Sequence, residues 1–417
     1  MSLEWKSCKI GDVVSVRRGA SPRPIKDYIS EKGMPWVKIA DATKDQTRFI
    51  NFTSEFIKEG GIEKSVVVNP GDLIVSNSAT PGLPKFMNIK ACVHDGWLVF
   101  DNYDGILKDF LYYYFIVIRG RLVNQANGSV FKNLKTDIVK DFNINLPDME
   151  TQEKIANILS QIDKKIELNI NINKNLEQLM KCIFEDWFVN FNYSNDISFK
   201  SSELGEIPSN WNVKKLRDVL IVLESGKRPK GGISNIDDGI PSIGAENILG
   251  LGKFNYSKNK LISHEFFSTL KKGVIQDKDV LLYKDGAQLG RKSLFMKGFP
   301  FDICCINEHV FRLQSNDEIN QFYLYLWLDQ EVMTNEIINL NSNSAQPGIN
   351  QNDVKSLPIL VPELKIISKF NKIISPMMNQ IFDNALKINK LTNLRDTLLP
   401  KLMSGEIDVS KINCDLE

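Results

Sequence analysis

The sequence of 417 residues predicts an α+β fold in which two tandem globular modules of mixed α and β structure are each followed by a long helix. Two observations lead to this prediction. The chain repeats one order of short motifs, and each repeat ends in a long glycine-free segment whose apolar residues recur at steps of three and four. Because these segments are long enough for several heptads, we expect the two helices to pair as an antiparallel coiled coil.

The repeat is visible in four pairs of motifs that occur in the same order. Trp5 opens WKSCKIGDVVSV and Trp211 opens WNVKKLRDVLIV, and each run leads into a basic loop that contains glycine. MPWVKIADA is matched by IPSIGAENI, PGDLIVSNS by DKDVLLYKD, and DIVKDFNINLP by NDVKSLPILVP. The partners lie about 206 to 215 residues apart. One ancestral module has therefore been duplicated, with small insertions in its loops.

Each module is predicted to consist of short β-strands with some helix. Runs rich in Val, Ile and Phe are broken by Gly, Pro, Asn and Asp, which is typical of short strands joined by turns. We assign residues 1–150 to the first module and residues 209–362 to the second. Residues 191–208 form a linker between the first helix and the second module, and residues 405–417 form a C-terminal tail.

The first long helix is predicted over residues 151–190, with TQEK at its start supplying a cap and early acids near Thr151. Asparagines interrupt its apolar seam, and buried polar groups at such positions cost stability but fix register and partner. The seam comprises Ile155, Leu159, Ile162, Ile166, Asn169, Asn173, Leu176 and Met180.

The second long helix is predicted over residues 363–404, with Gly405 as its stop. Pro376 is expected to kink this helix or to end a first segment of it. Pairing of the two helices would hold the modules at opposite ends of a spacer; the alternative is that each helix packs on its own module. The seam comprises Ile367, Phe370, Ile374, Met377, Ile381, Asn384, Ile388 and Leu391.

Charge and composition restrict the classes of function. The net charge is +1, from 52 basic and 51 acidic residues, which argues mildly against a free-standing DNA-binding protein, although the distribution of charge matters more than its sum. The six cysteines and three histidines have no metal-ligand spacing, so we expect free thiols and no metal. The start of the chain lacks a secretion signal, and its longest apolar stretch is far shorter than the ~20 residues of a membrane span. A soluble, cytoplasmic protein is expected.

Motifs for catalysis are absent from the sequence. It contains no GxGxxG or GxxxxGKS/T loop, no GxSxG elbow, no HExxH, and no Asn/Asp-Pro-Pro-Tyr/Phe tetrapeptide of the kind used by adenine methyltransferases. We therefore expect that the chain binds no cofactor and carries out no chemistry itself.

A basic loop follows the first strand pattern of each module. A single charged run is most often solvated surface, but recurrence at matching positions favours contact with DNA phosphates. The candidate residues are Arg17, Arg18, Ser21, Arg23 and Lys26 in the first module, and Lys227, Arg228 and Lys230 in the second.

Two further loops in each module combine amide, hydroxyl and basic side chains, which are able to hydrogen-bond to base edges. These loops differ between the modules more than the strands do, as expected if one scaffold presents two specificities. In the first module the candidates are Ser76, Asn77, Lys85, Lys132 and Lys135; in the second they are Tyr283, Lys284, Gln288, Arg291, Lys292, Gln346 and Asn350.

With these motifs in place, the chain resembles the specificity subunits of type I restriction–modification systems along essentially its whole length. The resemblance rests on the order of modules and helices, on PGDLIVS, on LPDMETQEKIANILSQIDKKIELN, and on the closing LRDTLLPKLMSGEI. It implies that each module is a target recognition domain that reads one half of a split site in double-stranded DNA. The helices would then set the gap between the halves.

The resemblance also implies partners. Two methylation subunits, which hold S-adenosylmethionine, would dock on the helices, and restriction subunits with a motor activity would use ATP and Mg²⁺ to cleave DNA. Other interpretations are an enzyme that acts alone, such as a fused methyltransferase and nuclease, or an orphan protein that serves as a sequence-specific DNA binder or a coiled-coil scaffold.

Overall fold

The computed structural model describes residues 5–44, 47–126, 133–194, 198–230, 232, 236–296, 298–341 and 347–410. Backbone contacts divide the chain into two compact units. Unit 1 holds Met1–Glu167 together with Lys390–Glu417, and unit 2 holds Leu168–Asn389. The first module lies in unit 1 and the second module in unit 2, and the boundary between the units falls within each long helix.

The first module is built from short strands and mostly short helices. Its strands are β1 (Lys6–Lys9), β2 (Ser15–Arg18), β3 (Ile29–Ser30), β4 (Met34–Val37), β5 (Phe49–Ile50), β6 (Glu55–Ile57), β7 (Val66–Val68), β8 (Leu73–Ser76), β9 (Pro84–Met87), β10 (Ala91–Val93), β11 (Trp97–Asp101) and β12 (Asn143–Leu146). Its helices are α1 (Ile10–Val13), α2 (Ile39–Lys44), α3 (Glu59–Ile62), α4 (Lys108–Ala126) and α5 (Thr136–Lys140), followed by α6 (Met149–Phe188).

The second module repeats this plan after a short hairpin. Its strands are β13 (Phe199–Ser202), β14 (Gly205–Pro208), β15 (Asn212–Lys215), β16 (Leu220–Ser225), β17 (Ile240–Ile243), β18 (Leu261–Ile262), β19 (Asp279–Tyr283), β20 (Lys292–Phe295), β21 (Cys305–Ile306), β22 (Val310–Ser315) and β23 (Pro358–Val361). Its helices are α7 (Leu216–Val219), α8 (His264–Ser268), α9 (Gln321–Asp329), α10 (Glu331–Asn339) and α11 (Gln351–Ser356), followed by α12 (Leu364–Met403).

The two modules share a core of strands in one order, to which the first module adds further strands. In unit 1 the sheets have the orders β2-β11-β8-β9-β5 and β3-β6-β4-β10-β7, and in unit 2 the corresponding sheets are β16-β22-β19-β20 and β18-β17-β21. The second sheet of each module contains one parallel pair, β4 with β10 or β17 with β21. In addition, β1 pairs with β12 and β15 with β23, so the start of each module is joined to the strand before its long helix. The duplication inferred from the motifs is thus repeated in the strand order.

Helix α6 starts two residues before the predicted position, because Asp148 rather than the TQEK segment caps it. The backbone N–H of Thr151 donates to Asp148 Oδ1 at 2.8 Å, and the Thr151 hydroxyl donates to Asp148 Oδ2 at 3.1 Å. These hydrogen bonds lower the pKa of Asp148, since they favour its charged form. A carboxylate at a helix N-terminus also interacts favourably with the helix dipole.

Helix α12 is continuous through Pro376, so of the two effects expected of this proline, the end of a first helical segment does not occur. A proline in a helix removes one hydrogen-bond donor and crowds the preceding turn. The buried residues Ile374, Met378 and Ile381, which flank it in the core of unit 2, keep the helix intact. Gly405 does follow the helix end, with a φ of +76° that favours glycine.

Within unit 2, α6 and α12 pair in antiparallel orientation. The Asn384 side-chain amide donates to Asn173 Oδ1 at 2.8 Å, and the Asn173 amide donates to the carbonyl oxygen of Ile381 at 3.1 Å. Further along α6, Phe188 lies against Phe370, which is earlier in α12, with ring centroids 4.8 Å apart. Asn173 and Asn384, two of the seam asparagines, therefore pair with each other across the two helices.

Within unit 1, a buried ion cluster joins the same two helices to the first module. Arg395 of α12 donates to Asp163 of α6 at 2.8 Å, and the hydroxyl of Tyr113 in α4 donates to the same carboxylate at 2.7 Å. Arg48, just before β5, binds both carboxylate oxygens of Glu167 at 2.9 and 3.0 Å. Burial, together with the charge of Asp163, raises the pKa of Tyr113 well above its ordinary value.

The helices pair with each other, and each also packs on its own module, so the two alternatives drawn from the sequence hold together. Ile155 and Leu159 of α6 belong to a hydrophobic core of unit 1, and Ile367 and Phe370 of α12 belong to the core of unit 2. All of the predicted seam residues are buried or half-buried. The predicted fold class is confirmed.

Candidate nucleic-acid interface

A three-residue turn connects the two sheets of each module. In the first module His94, Asp95 and Gly96 lie between β10 and β11, and in the second module residues 307–309 lie between β21 and β22. We name residues 94–96 the first hub turn and residues 307–309 the second hub turn. They occupy equivalent positions, because β10 corresponds to β21 and β11 to β22 in the shared topology.

The basic loop of each module passes over its hub turn at a glycine. Gly19 follows β2 directly and donates its N–H to the carbonyl of Trp97 at 2.8 Å, while Gly226 follows β16 and donates to the carbonyl of Asn307 at 3.1 Å. A Cβ atom on Gly19 would lie 2.1 Å from the carbonyl oxygen of His94, and one on Gly226 would lie 1.7 Å from that of Ile306. Only glycine allows the basic loop to approach the hub turn this closely.

The other predicted loops meet at the same turns. In the first module the N–H of Asn77 donates to the carbonyl of Gly96 at 2.8 Å, and the N–H of Leu134 donates to the carbonyl of Asn77 at 2.7 Å. In the second module the N–H of Lys284 donates to the carbonyl of His309 at 3.2 Å, and the N–H of Ile349 donates to the carbonyl of Lys284 at 2.9 Å. The structure thus brings the described parts of three predicted loops together in each module.

Many of the predicted contact residues are exposed around these turns. Arg18, Arg23, Lys26 and Lys135 are exposed in the first module, where Ser21 is half-buried. Arg17 is also exposed, but its guanidinium binds Asp101 at 2.7 Å, which is on β11 and outside the hub turn. In the second module Tyr283 and Lys284 are half-buried, and the exposed candidates are Lys227, Arg228, Lys230, Gln288, Arg291 and Asn350.

Four predicted contact residues are buried, and their roles are corrected. Ser76 donates to the carbonyl of Thr80 at 2.5 Å, and Asn77 donates its side-chain amide to the carbonyl of Asp95 at 2.9 Å. Lys85 donates to the carbonyl of Thr47, and Lys292 donates to the Thr334 hydroxyl at 2.5 Å. These side chains shape the loops from within and are not presented to DNA. Lys132 and Gln346 lie outside the described residues.

Each hub turn carries an acidic residue that contacts the basic loop, and the sequence analysis did not single these residues out. Asp95 accepts a hydrogen bond from the Ser21 hydroxyl at 2.6 Å and lies 3.6 Å from Arg18 and 3.5 Å from Arg23. The hydrogen bond from Ser21 lowers the pKa of Asp95, and the two arginines act in the same direction. The signal that could have revealed them is an acid that lies two residues before a strand, β11 or β22, at the same place in both repeats, in VHDGW and INEHV.

The arrangement has the chemistry of a binding surface. Across the residues that the structure describes, no group of His, Cys, Asp and Glu side chains could hold a metal ion. In the same part of the chain, no helix is long and apolar enough to cross a membrane. The exposed side chains of the basic loops are cationic, and those of the other loops include amides, and these are the groups that contact DNA phosphates and base edges in other proteins. The carboxylates of Asp95 and Glu308 lie among them.

Comparison with known proteins agrees with this geometry. The type I restriction enzyme MjaIX specificity subunit of Methanocaldococcus jannaschii is 26% identical over 419 residues, covering 98% of this chain and 95% of that protein. The type I restriction enzyme HindI specificity subunit of Haemophilus influenzae is 23% identical over 473 residues, covering 97% of this chain and 100% of that protein.

Among solved structures, that of a type I restriction–modification system S subunit from M. genitalium has the same fold, with a TM-score of 0.60 and 16% identity over 96% of each chain. The model of the type I restriction modification DNA specificity domain matches residues 2–178 and, a second time, residues 208–395. The resemblance seen in the sequence is confirmed: this chain belongs to the family of type I restriction modification DNA specificity domains, and it carries two of them.

Proposed function

We propose that this chain is the DNA sequence-specificity subunit of a type I restriction–modification enzyme and that each module binds one half of a split DNA site. The observation that carries the proposal is the equivalence of the two hub turns. Each gathers an exposed basic loop and two further polar loops at the same place in the shared topology. A chain with two such surfaces that differ in sequence suits a site with two different halves.

Within each surface, we assign separate roles to the basic and the amide side chains. Arg18 and Arg23 in the first module and Arg228 in the second bind phosphates, which position the protein on the duplex without reading its sequence. Gln288 is an exposed amide in the second module that is able to read base edges. Asn350 is also exposed, but its Oδ1 atom caps α11 by accepting the N–H groups of Asn352 and Asp353, so we assign it only a donor role toward bases. The net charge of +1 fits a subunit whose partners contribute to holding the DNA.

The proposed partners are two methylation subunits docked on α6 and α12, together with restriction subunits that have a motor activity. In this assignment S-adenosylmethionine, ATP and Mg²⁺ are bound by those partners, and the chain itself is non-catalytic. The surfaces assigned to DNA present guanidinium, ammonium and amide groups, which suits binding rather than bond cleavage. The second candidate, an orphan DNA-binding or scaffold protein, is favoured if the chain does not co-purify with a methylation subunit.

Salt-dependent binding of a mixed-sequence duplex by the complex with the methylation subunit tests the proposal. Replacing Arg18 or Arg228 by Ala should weaken binding to every duplex. It should also reduce the slope of log affinity against log salt by about 1, because one phosphate contact is lost. Lys6→Ala is the matched control, since Lys6 is an exposed cation on β1, in a different sheet. Equal slopes for all three variants and the wild type would refute the assignment.

A further inference from the structure

The two hub turns differ in sequence but present the same chemistry to the basic loops. The first contains His94, Asp95 and Gly96, and the second contains Asn307, Glu308 and His309. In both, the middle residue is an acid, and in both, that acid contacts an arginine of the loop that crosses the turn. Two modules that share few residues have therefore kept one ion-pair arrangement at one place.

In the first module, several residues contact Asp95. Its carboxylate accepts the Ser21 hydroxyl at 2.6 Å and lies 3.5 Å from the guanidinium of Arg23. Its backbone carbonyl accepts Arg18 Nε at 2.8 Å and the Asn77 amide at 2.9 Å. Residues from two of the predicted DNA-binding loops thus converge on Asp95.

In the second module Glu308 has the corresponding position. Its Oε1 atom lies 3.0 Å from Arg228 Nε and 3.4 Å from His309 Nε2. The contact between Glu308 and Arg228 is shorter than either contact between Asp95 and an arginine, which are 3.5 and 3.6 Å long.

The arginines in these pairs keep free donors. A guanidinium has five N–H donors in a fixed plane, and the contacts to the hub acid use only some of them. The side chains of Arg18, Arg23 and Arg228 are 54%, 76% and 60% exposed despite their ion pairs. An exposed arginine held on one edge loses less conformational entropy when its other edge binds an anion.

We propose that Asp95 and Glu308 are equivalent positioning residues: Asp95 holds Arg18 and Arg23, and Glu308 holds Arg228, in the orientation that binds the DNA backbone at one half-site. This inference rests on the proposed function. The acids do not contact DNA; they fix the register of each module on the duplex, so that the neighbouring loops meet the correct bases. Because the carboxylates of Asp95 and Glu308 carry the same sign of charge as the phosphates, they also weaken binding to unrelated sequences.

The experiment uses the full chain in complex with its methylation subunits and three duplexes. One duplex contains the split motif that the complex methylates, and in each of the others one half of the motif is scrambled. Discrimination is the ratio of the affinity for the intact motif to the affinity for a duplex with one scrambled half. Asp95→Asn should reduce this ratio about tenfold for one of the two scrambled halves, as expected for the loss of one or two charge-assisted hydrogen bonds. Glu308→Gln should do the same for the opposite half. Both variants should bind unrelated duplex slightly more tightly, because a negative charge near the phosphates is gone.

The chain offers a matched control for each variant. Asp141 pairs with Lys9 of β1 at 2.8 Å, away from the basic loop, and its side chain is exposed. Glu318 pairs with Lys214 and is 40% exposed against 32% for Glu308. Asp141→Asn and Glu318→Gln make the same changes of charge outside the hub turns, so discrimination at both halves should stay at the wild-type value.

Two further variants separate positioning from folding. Asp95→Glu keeps the charge and should retain most of the discrimination, and Ser21→Ala, which removes one hydrogen bond to Asp95, should reduce discrimination at the same half as Asp95→Asn. Thermal unfolding is measured for every variant. Unchanged discrimination in Asp95→Asn and Glu308→Gln, or equal loss at both halves, overturns the inference. A wild-type complex that does not distinguish the three duplexes overturns the proposed function itself.

Discussion

Lys292 illustrates how a single residue can be misassigned from sequence. It lies among Gln288, Arg291 and Tyr283 in the chain and was expected to contact DNA, yet it points into the second module and is 4% exposed. Burial lowers its pKa to about 8 from an ordinary value of 10.5. Whether a strand residue faces the solvent or the core depends on what covers the sheet, which the local sequence does not reveal.

The lowered pKa predicts how Lys292 affects stability. Between pH 8 and 10.5 the unfolded chain holds a proton on Lys292 that the folded chain lacks, so this residue makes the free energy of unfolding rise with pH. Below pH 8 both states are protonated, and the destabilisation is constant at about 3 kcal/mol. Lys292→Met should therefore raise the free energy of unfolding at pH 7 by about 1 to 3 kcal/mol, since part of the gain is offset by the lost hydrogen bond to Thr334.

Urea unfolding at pH 7 and at pH 10 measures this effect, with Lys272→Met as the control because Lys272 is exposed. Salt-dependent DNA binding by the Lys292→Met complex should match the wild type. A loss of stability at pH 7 would contradict the burial argument, and a flatter salt slope would restore Lys292 to the DNA surface.

At the scale of elements, the paired asparagines of α6 and α12 are the most specific feature of the helix pair in unit 2. Asn384 is 1% exposed, and its partners are Asn173 and Gln380. Replacing one member of a buried polar pair leaves the other without its hydrogen bond, whereas replacing both by apolar residues removes the polar groups together.

We therefore predict strong non-additivity at this pair. Asn384→Leu alone should lower the free energy of unfolding of the chain by about 1 to 3 kcal/mol, and the double variant Asn173→Leu with Asn384→Leu should recover most of that loss. A double-mutant cycle in urea measures the coupling energy. If the effects of the two single substitutions add up to the effect of the double variant, the asparagines do not act as a pair.

The elements differ in how well the sequence predicts them, and the reason is physical. The long helices follow from apolar spacing, which is a local property of the chain, so α6 and α12 lie within two residues of the predicted limits at each end. Pro376 does not end the helix, which was one of its two expected effects, because tertiary packing around Ile374 and Met378 outweighs the local cost of the proline. The hub turns were missed because a three-residue connection with one acid resembles any loop until the strands on either side are paired.

At the scale of the whole molecule, duplication explains how one chain can carry two specificities. Three features recur in both modules: the common strands, the glycine that follows β2 or β16, and the acid of the hub turn. The exposed loop residues differ between the modules. Loops tolerate such variation because the scaffold that positions them is stabilised elsewhere. Exchange of one module's loops should then change one half of the DNA site without changing the other.

A map of methylated adenines across the genome of the source cell, with and without this gene, tests directly whether the chain selects the methylated sequence. One split motif, two short defined halves around a fixed gap, should be methylated in the parent strain and unmethylated when the gene is deleted. Restoring the gene should restore the same motif. If the methylation pattern is identical in both strains while the methylation subunit is expressed, the chain does not direct methylation and the account is wrong.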